Sequence, residues 1–158
     1  MRDVLRRYVM NPVLALLEQG LTPKKLALSL ALGVVCGLFP VLGATTLLCV
    51  AFGFALRLSH AALQLANYLV YPLQVALILG FVRLGERTLN ASPMPFSVSA
   101  IVAAARENPA LFLERFGLTG LHAILGWALV APLLAAGLYV ALLPLLRTAA
   151  ARLPDTIV

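Results

Sequence analysis

Three stretches of this chain contain no charged side chain at all, and that fact limits its fold more than any other. Between Lys25 and Arg57 lie 31 such residues, between Arg57 and Arg83 lie 25, and between Arg115 and Arg147 another 31. A helix crossing a bilayer needs roughly 20 mostly apolar residues. A charge at the bilayer centre costs at least about 2.5–3.5 kcal/mol on insertion scales. Each stretch is long enough to cross, and the clearing of charge from all three follows from that cost. Composition agrees: 62% of the residues are apolar and 11% charged, against about 45–50% and about 25% in soluble domains. So few polar groups cannot cover the surface of a soluble protein of 158 residues. The expectation is an all-α integral membrane protein forming a single membrane domain over residues 1–158.

The net charge of +6 is gathered at segment ends: Arg2, Arg6, Arg7, Lys24, Lys25, Arg57, Arg147 and Arg152. That is where cations orient a membrane protein and meet anionic headgroups. No long basic run accompanies them, so membrane lipids, and not nucleic acid, are the expected partners. A second copy of the chain or an envelope-polymer enzyme is the other expected partner. Cys36 and Cys49 lie in apolar sequence without companions for metal ligation, and they read as small packing residues. The charged start and Glu18-Gln19-Gly20 after Leu17 do not resemble a signal-peptide cleavage site, so no cleaved leader is expected.

Along the chain, residues 1–20 read as an amphipathic helix, with Leu5, Val9, Val13 and Leu17 on one face and Asn11-Pro12 as an internal restart, lying either in the headgroup plane as an interfacial helix or against the rest of the protein. Thr22-Pro23 is a cap followed by a first-turn proline. It opens a segment over 22–57 that Gly37-Leu38-Phe39-Pro40-Val41-Leu42-Gly43 should break. Proline removes an amide donor and collides with the preceding turn. Each half is then about 14–16 residues, or about 21–24 Å, short of the ~30 Å hydrocarbon core. Two such halves point to a re-entrant helical hairpin. Residues 58–88 form a second segment, broken where Asn67-Tyr68-Leu69-Val70-Tyr71-Pro72 sits at the middle of its uncharged part. Successive centrally broken segments are a feature of discontinuous-helix transporters. A loop follows Thr88. Residues 97–116 read as two short amphipathic helices, the second starting at Asn108-Pro109 and ending near Gly117. The region 118–148 is expected to break at Pro132, giving a short helix and then a full crossing.

From Gly20 to about Gly85 the chain resembles the bacterial membrane family known as domain of unknown function 2062. The matching pieces are Gly20-Leu21-Thr22-Pro23-Lys24-Lys25-Leu26-Ala27, Ala31-Leu32-Gly33, and Gly37-Leu38-Phe39-Pro40-Val41-Leu42-Gly43-Ala44-Thr45-Thr46. Ala51 to Leu58, Asn67 to Pro72 and Leu79-Gly80 complete the match. Two positions depart from the pattern: Asn67 and Pro72 are separated where an Asn-Pro pair is common, and Ser59 stands in place of an asparagine. The resemblance implies an inner-membrane module without a settled activity, sometimes fused to glycosyltransferases. Its broken hairpins look like those of DedA-like membrane proteins, a group linked to lipid translocation.

No constellation for an enzyme is visible. Asp3, Glu18, Glu86, Glu107, Glu114 and Asp155 all lie outside the uncharged stretches, and no two form an evident acid–base pair. His60 and His122 are far apart in sequence, and His60 reads as an interfacial or capping residue. No metal or cofactor is expected. A helix broken inside lipid, however, frees backbone groups that survive only when buried in protein or lining a wet cavity. Amides at Gly43, Ala44 and Thr45 would start the second half-helix, whose positive end favours an anion. Thr45 and Thr46 add hydroxyls, Arg57 either meets the anion or snorkels to headgroups, and Asn67, Tyr71 and Gln74 are polar groups of the opposing break. One reading is a cavity for an anionic lipid or amphiphile, used by a small transporter or flippase. The others are that these groups only satisfy one another, or that the chain is a non-catalytic anchor or assembly factor for envelope-polymer enzymes. Gly33-x-x-x-Gly37 permits a close helix approach, within the chain or between copies.

The basic residues orient the chain. A re-entrant first segment puts eight on the N-terminal side and four opposite; three simple crossings put nine and three. Both place the N-terminus in the cytoplasm of a multi-pass protein of the bacterial inner membrane.

Overall fold

The computed structural model describes residues 15, 21–92 and 109–151. The interfacial helix expected over 1–20 and the short helix expected over 97–107 lie outside these residues. Five helices run through residues 21–92 and 109–151: α1 (Pro23–Gly37), α2 (Ala44–Ala55), α3 (His60–Leu69), α4 (Tyr71–Thr88) and α5 (Pro109–Ala150). No strand occurs among the described residues.

Local chemistry sets most boundaries. Thr22 is extended, its hydroxyl accepts from the Lys25 amide at 3.4 Å, and Pro23 occupies the first turn. Proline's fixed φ suits that position, where its missing N–H has no partner to lose. α1 stops at Gly37 because Pro40 has no N–H to offer Cys36 and biases Phe39 away from helix. The Cys36 carbonyl takes the Phe39 amide instead, at 3.1 Å. Gly43 caps α2 at φ +86°, a left-handed conformation that favours glycine. Ser59 caps α3 through the Ala62 amide at 3.3 Å. A single residue, Val70, separates α3 from α4, and the two helices meet at 67°. Both breaks expected from the sequence are therefore present.

The third expected break is not. α5 runs for 42 residues with Pro132 and Pro144 inside it, and it also absorbs the short helix expected to end near Gly117. Pro132 lacks the flanking glycines of Pro40; its neighbours are Ala131, Leu133, Leu134, Ala135 and Ala136. These are good helix formers. The helix is also held on both sides of the proline, against α4 through Gly126 and against α1 through Leu146. Replacing Pro132 with alanine should restore one backbone hydrogen bond without altering the path. A gain of about 1–3 kcal/mol is expected from the difference in helix propensity. Thermal unfolding in detergent would register it as a higher Tm.

Contacts give the directions. Ser59 donates its amide to the Ser29 hydroxyl at 3.2 Å. Gly33 faces Leu63 and Ala66, and Gly37 faces Asn67 and Val70. α3 thus runs alongside α1 in the same sense, and α2 carries the chain back between them. α4 and α5 are antiparallel, since Gly85 meets His122 and Gly126 meets Phe81. α5 is antiparallel to α1 as well: Trp127 reaches Val35 and Leu146 packs with Leu26 and Ala27. α5 therefore passes from the far end of α4, across the breaks, to the start of α1. Leu26, Ala27, Ala31 and Cys36 of α1 are fully buried, making α1 the centre of the bundle. Gly33 and Gly37 are both used for packing within the chain.

The outside is apolar. Leu47, Phe54, Leu133 and Val140 are each at least two-thirds exposed. The stretch Phe116–Ala150 is long and apolar enough to cross a membrane, and only 6% of its most apolar part is buried. The bent pair α3–α4 is long and apolar enough when its two helices are taken together.

Candidate functional site: the junction of two helix breaks

The first break docks on the second. A Cβ placed on Gly37 would lie 2.5 Å from a methyl of Val70 and 3.0 Å from the Cα and carbonyl oxygen of Asn67. Only a residue without a side chain lets the two backbones approach so closely.

A helix end leaves carbonyls without intrahelical partners, and side chains from two other helices supply donors here. The indole Nε1 of Trp127 donates to the Val35 carbonyl at 2.9 Å. The Gln74 amide Nε2 donates to the Phe39 carbonyl at 2.6 Å. The Trp127 ring also meets Phe39 edge to face, with centroids 5.0 Å apart and planes at 83°. Gln74 is 1% exposed and Asn67 4%. Asn67 Nδ2 donates to Gln64 Oε1 at 3.2 Å. Among the described residues, no buried side-chain nitrogen or oxygen lacks a partner. Two carbonyls of the first break are thus taken by Gln74 and Trp127, while Asn67 bonds a neighbouring side chain of its own helix.

The amide side differs. Gly43 is exposed, and nothing lies within 4 Å of where its Cβ would be. The Ala44 amide points back to the Val41 carbonyl at 3.2 Å. Thr45 is buried, whereas Thr46, Val41 and Leu42 are exposed. Tyr68 and Tyr71, on the outside of the bend between α3 and α4, are 67% and 54% exposed. The docking of the breaks puts Gly43, Ala44, Thr45, Thr46 and Tyr71 at one level of the bundle.

Arg57 is not at that level. It ends α2, about 18 Å of helix away from Ala44. Its exposed side chain belongs to the end where α1 begins.

Trp127 is the residue that sequence reading missed. It is the chain's one tryptophan and lies in an uncharged stretch. A buried indole N–H usually requires an acceptor, so a broken helix elsewhere in the chain was a natural place to look for one. Cys36 and Cys49 are free and buried together with Leu58 and Leu63. The His60 ring packs over Gly53 and edge-on to Phe54, with centroids 4.8 Å apart. No group of three or more His, Cys, Asp or Glu able to hold a metal occurs among the described residues. An open cleft lies at the far end of α4, lined by Arg83, Glu86, Arg87, Asn90 and Ala91, with Arg83 and Glu86 ion-paired at 2.8 Å.

A family model described as an uncharacterized protein conserved in bacteria (DUF2062) matches residues 6–153. No curated protein matches, and no solved structure does. The likeness to DedA-like proteins has no counterpart in these comparisons.

Proposed function

The chain belongs to this bacterial family, DUF2062, and from that premise we propose that it is an integral inner-membrane protein that moves or holds an anionic lipid or similar amphiphile where its two helix breaks meet. The N-terminus is cytoplasmic, α1 and α2 form a re-entrant hairpin, α3–α4 make one bent crossing and α5 returns. The exposed apolar surface of α5 supports the membrane setting. The observation that carries the functional reading is the asymmetry of the junction. Its carbonyls are capped by Gln74 and Trp127, while the positive end of α2 at Gly43 and Thr46 stays open. A helix N-terminus with free amides attracts an anionic headgroup. The exposed Val41, Leu42 and Tyr71 offer apolar contact for acyl chains.

The test uses liposomes holding a fluorescent anionic phospholipid, with a membrane-impermeant quencher added outside. The protein should raise exchange between leaflets well above empty liposomes. Thr46→Val, with folding intact, should lower that rate about tenfold, the equivalent of one hydrogen bond to a charged group. Wild-type protein that leaves the rate at the level of empty liposomes would sink the reading. The second reading, a non-catalytic anchor or assembly factor for an envelope-polymer enzyme, is favoured by the closure of the carbonyl side. It requires no exchange and no effect of Thr46.

A further inference from the structure

We propose that the end of the bundle carrying Lys24, Lys25, Arg57 and Arg147 is a docking surface for the phosphate headgroups of anionic lipids, and that Arg57 is held in a left-handed conformation to complete it. The proposal rests on the membrane reading but not on transport, because this surface lies a full α2 length from the junction.

Two hydrogen bonds at one hydroxyl gather the residues. Ser29 donates to the Lys25 carbonyl at 2.7 Å and accepts from the Ser59 amide at 3.2 Å. The turn between α2 and α3, with Arg57 in it, is thereby fixed one helical turn from Lys25. Leu146 packs on Leu26 and Ala27, which brings its neighbour Arg147 to the same end. All four cationic side chains are exposed. The described acidic positions, Glu86 near the end of α4 and Glu114 near the start of α5, belong to the opposite end.

Arg57 supplies a second, independent observation. Its φ is +52°. Its amide donates to the Phe54 carbonyl and the Leu58 amide to the Gly53 carbonyl. This is the Schellman closure, in which the left-handed position usually belongs to glycine and sometimes to asparagine. α4 ends the same way, with Asn90 at φ +52°. α2 instead places a long cation there, in a conformation unfavourable for it. The Arg57 side chain has no hydrogen-bond or ion-pair partner among the described residues. No hydrogen bond or ion pair to the described residues offsets its backbone conformation. A headgroup phosphate, which guanidinium grips through paired N–H donors, gives the side chain its use.

The full chain in a neutral detergent is heated alone, with phosphatidylglycerol, with phosphatidylcholine, with inorganic phosphate and with polyglutamate. Phosphatidylglycerol should raise Tm and the other additions should not. Arg57→Gly should melt at the same temperature as wild type or a few degrees higher without lipid, because the left-handed strain is gone. Its increment with phosphatidylglycerol should fall by at least about half. Lys24→Gln combined with Lys25→Gln should also lose part of the increment, without any rise in the lipid-free Tm. The proposal is overturned if Arg57→Gly keeps the whole increment, or if its lipid-free Tm drops, which would assign Arg57 to the helix end alone. An equal increment from inorganic phosphate or from polyglutamate overturns it too, in favour of a free anion or an acidic protein.

Discussion

Gly126→Val should separate α4 from α5. The Cβ would enter the carbonyl of Phe81, a backbone atom that cannot swing aside as a flexible side chain would. Gly85 makes the matching contact with the backbone at His122, so neither helix can slide to relieve the clash without meeting the other glycine. Overpacking usually costs about 1–3 kcal/mol. A backbone neighbour puts this case at about 3 kcal/mol or more, a fall in Tm of about 6–12 °C for a chain of this size. Gly120 and Gly137 are the controls, because nothing lies within 4 Å of a Cβ on either. Valine there should leave the melting temperature within about 1–2 °C of wild type. Thermal unfolding with size-exclusion chromatography in detergent compares the three. Equal losses at Gly126 and Gly137 would show that the close approach of α4 and α5 is not what holds them.

Gln74→Leu should cost about 2 kcal/mol, the second largest effect. Leucine fills much the same volume, so the change removes a donor and leaves the Phe39 carbonyl buried and unpaired. Hydrogen bonds between membrane helices average only about 0.6 kcal/mol, because the unfolded chain in lipid finds other partners. The carbonyl here lies in the turn between α1 and α2, outside the hydrogen-bond ladder of either helix, which moves the expected cost toward the range for an orphaned acceptor, about 1–3 kcal/mol. Trp127→Phe removes the neighbouring bond to Val35 and keeps much of the ring. Both donors close one end of α1, so the double variant should lose less than the sum of the two singles. Strict additivity across the four proteins would mean that the two caps act separately.

The parts of this architecture that could be read from residues are those decided locally. Thr22-Pro23, Ser59 and Gly43 announce helix starts because capping and left-handed φ depend on the residue itself. Pro40 between two glycines and Pro72 after Asn67 announce breaks, because glycine, or the β-branched and aromatic Val70 and Tyr71, add to the weakening by proline. Pro132 was misread for the converse reason. A proline weakens a helix by about 3 kcal/mol or more, and whether the helix yields depends on what holds it on either side, here Phe81 and Leu26, both remote in sequence. The candidate site divides along the same line. That Gly43, Thr46 and Tyr71 share a level with the second break follows from spacing. That Gln74 bonds the Phe39 carbonyl depends on the turn after α1, and that Trp127 closes the break depends on a residue 92 positions from its acceptor. Arg57, alone between two uncharged stretches, reads equally as a counter-charge at the junction or as a headgroup contact; a helix of 12 residues carries it away from the junction.

The doubling back of α1 and α2 has a consequence for biosynthesis. Under the topology proposed above, Lys25 and Arg57 both remain on the side where the ribosome made them, and the hairpin between them takes no charge across. It can settle into the bilayer as soon as it emerges, shielding its own proline bend. Under that same topology, export machinery is needed only later, when Arg83, Glu86 and Arg87 are threaded outward. In the folded protein, Arg83 and Glu86 pair with each other.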